Sequence, residues 1–178
     1  MFMRQGGWVC SPVMPVSNRM RTSLVALVNR LTTCEIPYAL GGSMMLHLRG
    51  LTDDVADIDI AVPADAKEAV RAATQAWWIG ERPNDRSTFD SAWRVKLDVD
   101  GVAGHVFGGF AVMRDERRVA LPLRSDEAVE IDGTAVSLAP LEVWWLAYGA
   151  YRPERAEAIA QTIDRSRCTA LLEELELT

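Results

Sequence analysis

The sequence predicts a single α+β unit, a mixed β-sheet with helices packed on it and a short helical C-terminal tail. Three observations carry that expectation: helix-period apolar spacing at both ends of the chain, short alternating strands between them, and two Asp-Gly pairs that each separate two alternating runs. Met20, Leu24, Leu27, Val28 and Leu31 recur at helical spacing behind Ser17, which places an amphipathic helix over 18–33 with Ser17 as its cap. "IPYAL" reads as a short apolar strand running into Gly41-Gly42, and "SMMLHLRG" as a brief helix ending at Gly50. "DIDIAV" alternates acid and aliphatic. A strand there sets Ile58 and Ile60 on one face and Asp57, Asp59 and Ala61 on the other, until Pro63 ends it.

Asp65 with Glu68 three residues on matches a capping box, and Ala66, Ala69, Val70, Ala73 and Trp77 share one face of a helix running to about Trp78. A polar loop through Pro83 and Asn84 follows. Val95, Leu97 and Val99 then alternate up to Asp100-Gly101, and Asp132-Gly133 repeats the pattern further on. Both dipeptides tolerate the positive φ angles of tight hairpin turns. From Pro140 the chain turns helical: "LEVWWLAYGAY", an amphipathic run after Arg152-Pro153, and a last short segment near "ALLEELEL". The expected division is an N-terminal arm over 1–15, a core over 16–139, and a helical segment over 140–178 in the same globular unit.

The chain has 178 residues, 49% of them hydrophobic, enough for one packed core. Its net charge is -6, from 25 acidic and 19 basic residues, and no basic stripe is visible. That balance argues against a non-specific grip on nucleic acid and favours a small-molecule or protein partner, a second copy of the chain included. The three cysteines lack C-x-x-C spacing, so neither a disulfide framework nor a zinc site is indicated. Gly6, Gly7, Pro12 and Pro15 interrupt the apolar residues of the N-terminus. The expectation is a protein of the reducing cytoplasm with no signal peptide and no membrane span.

Asp57 and Asp59 project from the same strand face, about 6–7 Å apart along the backbone. Two like charges half-buried together need compensation, and a hard divalent cation such as Mg²⁺ supplies it. Just upstream, Gly41 and Gly42 leave backbone amides open and Ser43 adds a hydroxyl where a helix starts, a combination suited to phosphate oxygens. Arg49 follows closely, positioned to reach a phosphate or to pair with Asp53 or Asp54. Simpler roles compete for other residues. A tight turn alone accounts for the glycines, and packing accounts for His47. Neighbours on a helix point about 100° apart, so at most one tryptophan of each pair, Trp77-Trp78 and Trp144-Trp145, fits fully in a core. Arg114, Arg117 and Arg118 interleave with Asp115 and Glu116 and read as a solvated turn.

A strand, Gly41-Gly42-Ser43, a short helix and then Asp57-x-Asp59 on a second strand resembles the DNA polymerase beta-like nucleotidyltransferase superfamily, above all its small stand-alone bacterial members. The likeness covers about Ile36 to Val62. It implies Mg²⁺-dependent transfer of a nucleoside monophosphate from a nucleoside triphosphate to a hydroxyl, with Asp57 and Asp59 as metal ligands and Gly42 and Ser43 holding the triphosphate. The family adds a third carboxylate on a later strand. Strand order brings His105 to that place, whereas Asp98, between Leu97 and Val99, fits the local pattern of acid between aliphatics, and Asp100 shares its face. His105 or Asp98 would then assist the acceptor hydroxyl. The family's C-terminal lysine is replaced by Ala147 and Tyr148. A second reading follows from these departures: a non-catalytic relative acting as a regulatory or antitoxin-like binding partner.

Overall fold

The computed structural model describes residues 16–83 and 88–177. The expected arm over 1–15, with Cys10, and Asn84 of the polar loop lie outside the described residues. The chain opens with α1 (Asn18–Thr33), capped by the Ser17 hydroxyl, which accepts from the Met20 amide at 3.2 Å. It continues through β1 (Ala39–Gly41), α2 (Gly42–Leu48), β2 (Ile58–Val62), α3 (Lys67–Thr74), β3 (Trp78–Glu81), β4 (Trp93–Val99) and β5 (Val102–Gly108). Then come β6 (Ala111–Arg114), β7 (Arg117–Ala120), β8 (Glu127–Ile131), β9 (Thr134–Leu138), α4 (Leu141–Tyr151), α5 (Pro153–Ala160) and α6 (Arg165–Glu174).

Seven strands form one mixed sheet in the order β3-β4-β5-β2-β1-β9-β8, and β6 and β7 make a separate two-stranded ribbon. β2 lies parallel to β5 and β1 parallel to β9, while the other neighbours are antiparallel. Ile58, Ile60, Val95, Leu97 and Val106 are fully buried in one core with Leu24, Leu27 and Leu31 of α1 and Val70 of α3. Strand alternation then sends Asp59 and Ala61 to the opposite face. This burial of aliphatics fixes the register, because a slip by one residue would drive Asp59 into the core.

Both expected hairpins form. Asp100 and Gly101 take φ of 53° and 83°, and Asp132 and Gly133 take 50° and 78°, the paired positive angles of a type I′ turn. The helix after Pro63 is shorter than its periodicity suggests. Asp65 sits in a 3₁₀ turn, α3 begins at Lys67 with no side-chain cap, and the helix gives way to a second 3₁₀ turn at Gln75. Trp78 is drawn instead into β3, where it pairs with Leu97. Ladder hydrogen bonds to an existing sheet outweigh local helical spacing there. The β6–β7 ribbon was legible only as a solvated turn, at Asp115 and Glu116 with φ of 49° and 61°. Its strands are short and charged, with Val112 and Val119 as the buried pair. Trp144 is buried and Trp145 is not, whereas Trp77 and Trp78 are both half-buried. Among the described residues no helix is long and apolar enough to cross a membrane.

Trp144 of α4 lies flat against the backbone of β1 at Gly41, and a Cβ placed on Gly41 would fall inside the indole ring. Gly41 is therefore a packing glycine. Gly41→Ala is expected to destabilise the protein by about 1–3 kcal/mol through overpacking, read as a lower urea midpoint at unchanged slope.

Candidate functional site

Three strand pairings build the site. Gly41 of β1 is opposite Asp59 of β2, Asp59 is opposite His105 of β5, and His105 is opposite Lys96 of β4. These residues form one row across the sheet. Asp57 stands immediately before β2. His105 Nδ1 lies 3.3 Å from Asp57 Oδ2 and 3.5 Å from Asp59 Oδ1, so the imidazole joins both carboxylates. One donor atom from each of the three residues lies within 4.8 Å of the others.

The turn into α2 is shaped to this row. Gly42 has φ of +63°, and a Cβ on it would collide with the Asp59 carboxylate. Here glycine supplies both the left-handed backbone and the room. The buried Ser43 hydroxyl accepts from the Ala56 amide at 3.3 Å, which ties the turn to the segment delivering Asp57. Ser43, Asp57, Asp59 and His105 open onto one cavity of about 350 Å³. Phe89, Phe107, Tyr148 and Tyr151 form an aromatic wall, and Arg82, Arg94, Arg152 and Arg155 line the same space. Arg155 bridges two sides of it, donating to the Tyr148 hydroxyl and to Asp54, each at 3.4 Å.

The electrostatics follow from this crowding. Hydrogen bonds to Asp57 and then Asp59 push the His105 pKa up to about 9, against the opposing effect of burial. Burial raises the Asp59 carboxyl above the ordinary carboxylate range, and its hydrogen bond to His105 works the other way. Burial also raises the phenols of Tyr148 and Tyr151, which stay neutral donors. The donor set fits a divalent cation. Carboxylate oxygens suit a hard ion such as Mg²⁺, and the missing Cβ at Gly42 leaves the Asp59 carboxylate its space.

Other residues singled out in the sequence lie elsewhere. Asp98 Oδ1 accepts from the Gly101 amide at 2.6 Å, and Asp100 accepts from Trp77 Nε1 at 3.2 Å. Both acids serve the hairpin, which leaves His105 as the candidate facing Asp57 and Asp59. Arg49 does not face the cavity or pair with Asp53 or Asp54. It lies just past the end of α2 and binds Asp126 at 2.9 Å and Glu127 at 3.1 Å. Asp126 also takes Arg167, which reaches Glu142 on α4. The carboxylates gathered there hold the guanidinium away from any phosphate. His47 is buried with Nδ1 2.9 Å from the Thr52 carbonyl oxygen. The aromatic wall and the four arginines share no spacing in the sequence, because they come from the segment between β3 and β4, from β4 and β5, and from α4, α5 and the residue between them.

The charge on His105 sets a pH dependence for the metal-free protein. Its folded pKa of about 9 exceeds the ordinary 6.5, so the stabilisation is complete below pH 6.5 and disappears as pH rises through 9. The melting-temperature gap between the wild type and His105→Gln is therefore expected to be widest near pH 6 and to close by pH 10.

No protein-family model and no curated protein matches this chain in sequence. Solved structures do match in shape. The candidate nucleotidyltransferase TM1012 from Thermotoga maritima superposes with a TM-score of 0.64 at 20% identity, over 79% of this chain and 89% of that one. The antibiotic-resistance factor ANT(2″)-Ia in solution gives 0.58 at 15% identity, over 90% and 93%. Its crystal structure in complex with adenylyl-2″-tobramycin gives 0.56 at 15% identity, over 88% and 96%. This chain has a nucleotidyltransferase-like fold.

Proposed function

We propose that the protein is a metal-dependent nucleotidyltransferase that moves a nucleoside monophosphate from a nucleoside triphosphate to a hydroxyl acceptor. The observation that carries this reading is the convergence of Asp57, Asp59 and His105 with Ser43 on one cavity. The neighbours' fold supports it, as does the complex of ANT(2″)-Ia with adenylyl-2″-tobramycin.

In this reading Asp57 and Asp59 hold the divalent ion, with Mg²⁺ suited to their oxygens. The bound ion supplies neutralisation of the charge that develops on the phosphate oxygens. The triphosphate lies against the turn at Gly42 and Ser43, and the base has Phe89, Phe107 and Tyr151 as an apolar wall. The acceptor oxygen attacks the α-phosphorus. The new P–O bond forms as the bond to the pyrophosphate oxygen breaks, and pyrophosphate leaves with its electron pair.

With Asp57 and Asp59 neutralised by a bound ion, the carboxylate charge that holds a second proton on His105 in the metal-free protein would be taken up, and the neutral imidazole would then take the proton of the acceptor hydroxyl. Its Nδ1 is committed to the aspartates, which fixes the ring, and Nε2 is the nitrogen left to act. The neutral phenols and Arg155 orient the substrates from the helical side.

Pyrophosphate release from each nucleoside triphosphate with Mg²⁺ and a panel of hydroxyl acceptors tests the reading. Asp57→Asn or Asp59→Asn is expected to lower release by about 10²–10³-fold, and His105→Gln by about 10²-fold with little change in triphosphate affinity. A triphosphate that raises the melting temperature with no acceptor ever yielding pyrophosphate would establish the non-catalytic alternative instead.

A further inference from the structure

The turn at Gly42 and Ser43 opens a helix of about two turns, α2, and so short a helix does not hold its own shape. Its surroundings must hold it. The C-terminal end is closed by two reverse hydrogen bonds, from the Leu51 amide to the Leu46 carbonyl at 2.9 Å and from the Gly50 amide to the His47 carbonyl at 2.8 Å. Arg49 is the cap residue of that closure, so its side chain leaves the helix from a fixed backbone. Beyond it, His47 Nδ1 lies 2.9 Å from the Thr52 carbonyl oxygen, and the Ser43 hydroxyl accepts from the Ala56 amide at 3.3 Å. The connection back to Asp57 is thus fastened to α2 near both of its ends. The turn, the helix and Asp57 form one piece.

Arg49 ties that piece to the sheet. Its side chain is only 11% exposed, and the guanidinium binds Asp126 at 2.9 Å and Glu127 at 3.1 Å. Glu127 opens β8 and pairs with Leu138 of β9, which also pairs with Leu40 of β1, the strand that leads into the Gly42 turn. The path from β1 through α2 to Arg49 therefore returns to a strand of the same sheet, and the ion pairs close it. Asp126 gives its second oxygen to Arg167 of α6 at 2.7 Å, and Arg167 also holds Glu142 of α4. Burial of the Arg49 side chain screens its pairs from salt less than an exposed pair would be screened.

Resting on the nucleotidyltransferase reading, we infer that Arg49 is a positioning residue for the triphosphate and its ion. It touches neither. It fixes the far end of α2, so that the Gly42–Ser43 turn meets the phosphates and Asp57, carried by the same piece, meets the cation. A planar guanidinium engages two carboxylates at once in a set geometry, which an ammonium reproduces only in part. The tie can be cut without unfolding the chain, because Asp126 keeps Arg167 and the Glu127 side chain is half-exposed to water.

Calorimetric titration of the full chain reads the effect without any acceptor. The probes are the α,β-methylene analogue of ATP and inorganic tripolyphosphate, each with Mg²⁺. Arg49→Gln is expected to weaken both about ten-fold, and Arg49→Lys to recover part of the loss. Two controls should bind both probes as the wild type does: Arg21→Gln, which removes the exposed pair with Asp132, and Ile131→Val, which loosens the packing of β8 without touching the tie. Amide exchange of the ligand-free chain is a second readout, in which the Ala56 amide is expected to exchange faster in Arg49→Gln while the β4–β5 amides keep their rates. Wild-type affinity in Arg49→Gln, equal weakening in Ile131→Val, or an unchanged Ala56 rate overturns the inference and leaves the nucleotidyltransferase reading standing. A wild type that binds neither probe removes that reading, and the inference with it.

Discussion

Two carboxylates two residues apart at the start of β2, held against a single imidazole, are the constraint to which the rest of the site answers. Asp57 and Asp59 repel one another, and burial raises the cost of charging Asp59. His105 reaches both within 3.5 Å and shares a proton among them. A protein stabilised for its own sake would replace such a cluster with aliphatics at little loss, since desolvated charges seldom improve stability over good packing. The cluster instead gathers the donor atoms that the proposed cation would take.

The surrounding structure is arranged to hold that row in place. Ile58 and Ile60 anchor β2 in the core and so set the orientation of Asp59. Gly41 lets Trp144 close on β1, and Gly42 lets the chain turn beside Asp59 without touching it. The ion pairs from Arg49 to Asp126, and from Arg167 to Asp126 and Glu142, tie the far end of α2 to the loop before β8 and to α4 and α6. The short helix is thus fixed at both ends, one by packing and one by charge. Trp144, Tyr148 and Tyr151 continue as one line of ring contacts toward the cavity, so α4 transmits its packing directly to the wall of the site.

Much of this was legible in the sequence, and for local reasons. Asp-Gly dipeptides demand positive φ, helical spacing in α1 is unbroken, and D-x-D on a strand can face only one way. The nearness of Gly42-Ser43 to Asp57 and Asp59 follows from one short connection. What was not legible is what depends on strands far apart in sequence. β3 forms because Trp78 finds Leu97, which no window of sequence contains. Arg82, Arg94 and Arg155 line one cavity from the residue after β3, from β4 and from α5, with no shared period to announce them. Arg49 illustrates the converse: near the motif in sequence, it is turned by the end of α2 toward carboxylates more than seventy residues away.

The proposed chemistry depends on a cation gathering at Asp57 and Asp59. Crystals soaked in Mn²⁺ with a non-hydrolysable triphosphate, measured at the manganese absorption edge, locate that ion without reference to any assay. An anomalous peak bonded to carboxylate oxygens of both Asp57 and Asp59, with phosphate density beside Ser43, is the predicted result. Manganese bound elsewhere, or none in the cavity while the His105 ring still bridges the two acids, would contradict it.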